Sequence, residues 1–128
     1  MRGKTILYQK LRVVLGILRY SSVVLGIILT ARLGTIQYNG HRETWYNLKM
    51  NKVVERADAY YGTKGIYAVT DDGIKTYNGL VIVAAHKSVP YGTFIETSRG
   101  IGVILDYHTT SDKDLYDIGT TWGKGGKK

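Results

Sequence analysis

Two unbroken apolar runs set the terms for this chain. Leu80–Ala85 reads LVIVAA and Ile101–Leu105 reads IGVIL, and turn residues bound each of them. Both are shorter than an ordinary helix and rich in β-branched side chains, so they read as strands covered on both faces. Strands of that kind need neighbours, because a long apolar edge left open to water aggregates.

The neighbours are visible as short segments cut by turn signals. Asp71-Asp72-Gly73 and Asn78-Gly79 are hairpin turns, since Asp, Asn and Gly tolerate the left-handed backbone that such turns need. Val89-Pro90-Tyr91-Gly92 turns with proline presetting φ, and Ser98-Arg99-Gly100 turns again. Between them Glu43–Leu48, Lys64–Val69, Ile74–Tyr77, Thr93–Thr97 and Asp114–Ile118 read as strands. Asn51–Tyr61 is the one helical segment of this region, with Val53, Val54, Ala57 and Tyr61 on one face. About six to seven short strands in a small domain predict an all-β fold, a barrel or a sandwich.

Charge divides the chain. Residues 1–34 hold six Lys/Arg and no acid, and the first acidic residue is Glu43. Residues 35–122 hold nine Lys/Arg against ten Asp/Glu, and Lys124, Lys127 and Lys128 sit in a Gly/Lys tail. The net charge of +8 therefore belongs to the two ends. A near-neutral body argues against nucleic acid as the partner. The chain has no cysteine, which excludes disulfides, thiolate nucleophiles and cysteine–histidine amidase chemistry.

Val13–Ala31 reads VVLGILRYSSVVLGIILTA, with Arg19 its one charge. A basic leader before an apolar run stays in the cytoplasm and sends the C-terminal domain across the membrane. The run is close to the about 20 residues a spanning helix needs. A central Arg costs about 2.5–3.5 kcal/mol on insertion, which snorkelling to the interface relieves. A second parsing ends a basic n-region at Ser22 and makes Val23–Leu29 the core of a signal peptide. A third makes the segment an amphipathic helix of a soluble domain, against which stands an apolar surface running nearly all the way round. The expected organisation is a membrane anchor or signal at 1–34, a linker at 35–42, a β-domain at 43–122 and a basic tail at 123–128. The β-domain is expected outside the cytoplasm, on the cell membrane or secreted.

From Val83 to Ile118 the chain reads Val83-Ala84-Ala85-His86, Pro90-Tyr91-Gly92-Thr93, Gly100-Ile101-Gly102, Leu105-Asp106-Tyr107-His108 and Tyr116-Asp117-Ile118. Thr44-Trp45-Tyr46 precedes this set and Thr121-Trp122 closes it. In that order the pieces resemble the three-aspartate (3D) domain family, which shares a double-psi β-barrel with membrane-bound lytic transglycosylase A. The resemblance implies a small six- to seven-stranded double-psi β-barrel, here preceded by an N-terminal hydrophobic helix, acting on peptidoglycan glycan strands. His86 stands where the family has its first aspartate, and Asp106-Tyr107-His108 where it has Asp-Thr-Gly.

The chemistry implied is cleavage of the glycan without water. One carboxylic acid protonates the leaving oxygen and then accepts the proton of the sugar's own C6 hydroxyl, so its pKa must be raised. Asp106 ends the apolar run IGVIL and is the expected acid/base, with Asp117 as supporting carboxylate. Capping of a strand end by Asp106 and simple solvation of Asp117 are the alternatives. Thr44, Tyr46, His86, Tyr107 and His108 are the expected substrate-binding residues. Trp45, Tyr91 and Trp122 are further aromatics able to stack on a sugar or to sit in the core. His86 and His108 lack helical metal-ligand spacing, and neither a metal nor a cofactor is expected. The competing function is a non-catalytic wall-binding or assembly module on the same barrel.

Overall fold

The computed structural model describes residues 34–125. They form strands β1 (Ile36–Tyr38), β2 (His41–Asn47), β3 (Tyr67–Val69), β4 (Lys75–Tyr77), β5 (Leu80–Ala85), β6 (Phe94–Thr97), β7 (Gly100–Tyr107), β8 (Leu115–Gly119) and β9 (Lys124–Gly125). One helix, α1 (Asn51–Tyr61), lies between β2 and β3. The fold is mostly strand with one short helix, and the strands make one mixed, open sheet in the order β1-β2-β8-β5-β4-β3. β6 joins through β7, β7 lies along β5, and β9 pairs with β2. The expected N-terminal hydrophobic helix and membrane anchor lie outside the described residues, as does the end of the basic tail. Among the described residues no helix is long and apolar enough to cross a membrane.

The two apolar runs form adjacent parallel strands, β5 and β7. One edge of β5 pairs with β7 along its length. The other edge is shared, with β4 opposite Leu80 and Val81 and β8 opposite Val83 and Ala84. Both faces of β5 are buried. Ile82 and Ala84 pack with Val53 and Ala57 of α1 and with Tyr46, Met50, Tyr77, Val103 and Leu105. Val83 pairs with Ile104 and Ile118, and Ile118 with Trp45, in a second buried row of alternate positions.

The boundaries differ from the sequence expectation at both ends. The segment 35–42 is part of the sheet, because Asn39 and Gly40 take φ of 49° and 85° and close a two-residue hairpin between β1 and β2. The turn at Asn78-Gly79 has the same left-handed backbone, with φ of 52° and 79°. Lys124–Gly125 of the tail extends the sheet beside β2.

Side chains tie the remote parts of the sheet together. The Tyr38 hydroxyl on β1 donates to Glu96 on β6 at 3.3 Å. Glu43 on β2 is fully buried and accepts from the Ser98 N–H at 3.1 Å, while His41 Nε2 lies 2.7 Å from the same carboxylate. Asp58 fastens α1 in the same way, accepting from the Gly65 N–H at 2.8 Å and the Tyr77 hydroxyl at 2.7 Å. Those two bonds, the backbone one first, hold the Asp58 carboxyl below its usual range.

Gly65 sits so close to the Tyr77 ring that a Cβ there would come within 2.2 Å of it. Tyr77 is buried and held by Asp58, so it has no room to retreat. Gly65→Ala is therefore expected to destabilise the domain by about 1–3 kcal/mol, the cost of overpacking a fixed core. Urea denaturation measures it, and an unchanged midpoint refutes the clash.

Candidate active site

Four strands bring the expected carboxylates together. Thr44 on β2 pairs with Asp117 on β8, Asp117 with Ala84 on β5, and Ala84 with Asp106 on β7. Paired positions point to the same face of a sheet. The two aspartates thus flank one small side chain, Ala84.

A β-bulge makes this alignment possible. Val83 pairs with Ile104 but Ala84 pairs with Asp106, which leaves Leu105 as the extra residue. In an unbroken ladder Leu105 would face Ala84, and Asp106 would share the face of Ile104, which is fully buried. The bulge re-aims the Asp106 side chain to the face that Asp117 occupies.

The two carboxylates have different surroundings. Asp106 accepts from the Tyr46 hydroxyl at 3.2 Å and from the Tyr107 N–H at 2.9 Å, and the Arg56 guanidinium lies 3.4 Å away. Asp117 accepts from the Thr44 hydroxyl at 2.9 Å. Burial pushes the Asp117 carboxyl above the usual carboxylate range, and the charge of Asp106 adds to the rise. The Thr44 bond and the charge of His108 work against it. Burial thus acts upward on Asp117, the residue expected as the supporting carboxylate. Burial, followed by the charge of Asp106, also pushes the Tyr46 phenol upward, so it stays protonated as a donor.

The two histidines lie side by side, with ring centroids 6.2 Å apart. His86 Nδ1 accepts from the Ser88 N–H at 3.1 Å and lies 2.7 Å from the Ser88 hydroxyl. The neutral ring therefore carries its proton on Nε2. Burial lowers its pKa, and His108, Lys113 and Lys87 lower it further. His108 Nε2 donates to the Leu115 carbonyl at 2.8 Å, and Nδ1 lies 3.0 Å from the Thr110 hydroxyl. Among the described residues no group of three or more His, Asp or Glu is arranged to hold a metal ion.

Not every expected residue is available to a ligand. The Tyr107 hydroxyl donates to the Val89 carbonyl at 2.8 Å. Trp45 is buried, and Trp122 packs on it with a centroid distance of 5.5 Å and donates its indole N–H to the Asp72 carbonyl. Arg56 is a site residue that the sequence did not single out. Its signal was position: it lies three residues after Val53 and borders the buried face of α1. A cavity of about 470 Å³ lies elsewhere, at the first turn of α1, lined by residues that include Lys49, Glu55 and Lys75. None of the site residues above borders it.

Asp117 gives the site a pH signature. A carboxyl raised in the folded state stabilises the fold below its ordinary value, and that contribution is lost as the pH rises through the raised value. Asp117→Asn has no such proton to lose. Its stability relative to the natural chain is therefore expected to improve as the pH rises from below the carboxylate range to neutrality. Urea midpoints taken along that range check this, and a difference independent of pH would contradict it.

No family model matches the chain, and comparisons with curated proteins and with solved structures likewise return no match.

Proposed function

We propose that this chain is an exported cell-wall protein whose β-domain cleaves peptidoglycan glycan strands with the Asp106–Asp117 pair, on a closed double-psi barrel of the three-aspartate type. The observation that carries the reading is the row Thr44–Asp117–Ala84–Asp106, in which two carboxylates share one face and burial raises one of them. Barrel closure is supported by the bonds from β1 and β2 to β6 and its turn. It is supported as well by the second buried face of β5, since α1 covers only the first.

In this reading the acid/base role belongs to Asp117 rather than Asp106. Protonated Asp117 gives its proton to the glycosidic oxygen as the C1–O bond breaks. The resulting carboxylate takes the proton of the C6 hydroxyl while that oxygen bonds to C1, closing a 1,6-anhydro ring without water. Asp106, held by Arg56 and Tyr46, adds its charge to the burial that raises Asp117 and faces the positive charge developing at C1. Thr44 and Tyr46 fix the two carboxylates, and His108 lies within electrostatic reach of Asp117 with His86 beside it.

One observation favours the second reading, a wall-binding or assembly module that does not cleave. His86 replaces the family's first aspartate, and its Nδ1 is tied down by Ser88. Incubation of the full chain with purified peptidoglycan separates the two. Release of anhydro-muropeptides supports cleavage, and wall binding without release supports the module. In the first case Asp117→Asn should lower the release rate about 10²–10⁴-fold with wall binding retained. If Asp117→Asn cleaves at the natural rate, the acid/base role is not its own.

Export rests on residues 1–34, with six basic and no acidic residues around an apolar run. A reporter fused after Lys128 that works only outside the cytoplasm is expected to be active. Activity of a cytoplasm-only reporter at the same place would reject the topology.

A further inference from the structure

A row of tyrosines runs across the surface beside the carboxylate pair. Tyr60 and Tyr61 end α1 with rings at 4.9 Å and nearly perpendicular. Tyr91 packs on Tyr60 at 4.8 Å, and Tyr107 lies 6.5 Å beyond Tyr91, next in sequence to Asp106. Tyr61 stacks on buried Tyr77 at 6.1 Å, yet packing leaves much of the outer pair open, with Tyr60 59% and Tyr61 42% exposed. Their positions are nonetheless built. Gly92 has φ of 82°, and a Cβ on it would come within 3.3 Å of both rings, so the turn at Pro90–Gly92 and the end of α1 interlock.

The row is joined to the site at Tyr91. That side chain lies within electrostatic reach of Arg56 and Asp106. Its hydroxyl is buried and has no hydrogen-bond partner among the described residues, so the ring rather than the hydroxyl is what it presents. The chemistry of the row narrows the ligand. Each ring has an apolar face and a hydroxyl edge, which matches a pyranose ring with a C–H face and a rim of hydroxyls. A purely apolar partner would be met as well by phenylalanine, yet the whole chain has eleven Tyr and one Phe.

We propose that Tyr60, Tyr61 and Tyr91 form a stacking track for the glycan strand, holding sugars beyond those at Asp106 and Asp117. This rests on the reading of that pair as a glycan site. Long strands then bind more tightly than a disaccharide, because only they reach the track.

The test is calorimetric titration of the detergent-solubilised full chain with two probes. One is amidase-stripped, uncross-linked peptidoglycan strands, and the other is the disaccharide of N-acetylglucosamine and N-acetylmuramic acid. Replacing Tyr60 and Tyr61 together by Ala is expected to weaken strand binding roughly tenfold or more, a loss of about 1.4 kcal/mol. Disaccharide binding should not change. Replacing both by Phe keeps the rings and should keep most of the strand affinity. If the Ala pair lowers the melting temperature, Tyr60→Ser at the more exposed ring replaces it as the test variant. Equal strand affinity in the natural chain and the Ala pair overturns the track and leaves the carboxylate reading standing. Binding of neither probe by the natural chain overturns both. Preferential loss of disaccharide binding also overturns the track.

Discussion

A strand paired on both edges and buried on both faces can be built only from a continuous apolar run, and β5 is that strand here. The parallel ladder to β7 supplies one edge, while β4 and β8 divide the other. That division decides the rest of the sheet. β4 carries the hairpin with β3, and β8 carries β2 with β1 and β9 beyond it. A polar substitution in Val81–Ala85 would leave a polar group without water or partner on whichever face it met. α1 docks on the face of Ile82 and Ala84, and Arg56 reaches the end of β7 from there.

The carboxylate pair is a consequence of that arrangement. Ala84 is the position where both neighbours of β5 place an aspartate, and its small side chain is buried in the core between them. The bulge at Leu105 adds the final turn of the Asp106 side chain. Two carboxylates on one face resist ionising together, and their surroundings break the tie. Arg56, Tyr46 and the Tyr107 N–H converge on Asp106, and Thr44 donates to Asp117. The two carboxylates thus share a face but not an environment.

The buried polar network around Glu43 has a different role. Its carboxylate is enclosed between His41 and the Ser98 turn, away from the aspartates. Both the N–H and the hydroxyl of Ser98 donate to it. It fastens β2 to the turn between β6 and β7, as Tyr38 and Glu96 fasten β1 to β6. Buried polar groups cost free energy unless paired, and pairing across strands that are not ladder neighbours favours one curvature of the sheet over others.

Local pattern alone was sufficient for α1, for β5 and β7, and for the Asn78-Gly79 hairpin, because burial on both faces, a 3.6-residue period and a left-handed turn each leave a mark in adjacent residues. The Asn39-Gly40 turn carries the same mark, so β1 was legible in a segment expected to be a polar linker. Asp106 and Asp117 were legible as strand carboxylates through their place in an ordered set of motifs. That Asp117 is pushed upward was not legible. That depends on burial, on Thr44 from β2 and on the charges of His108 and Asp106, which folding brings beside Asp117, with Asp106 re-aimed by a register shift of one residue at Leu105. The tyrosine row is of the same kind, since Tyr60, Tyr91 and Tyr107 become neighbours only when α1 meets the Pro90–Gly92 turn. Sequence determines what a segment can bury. The electrostatics of a side chain come from whatever folding sets against it, and that is decided in three dimensions.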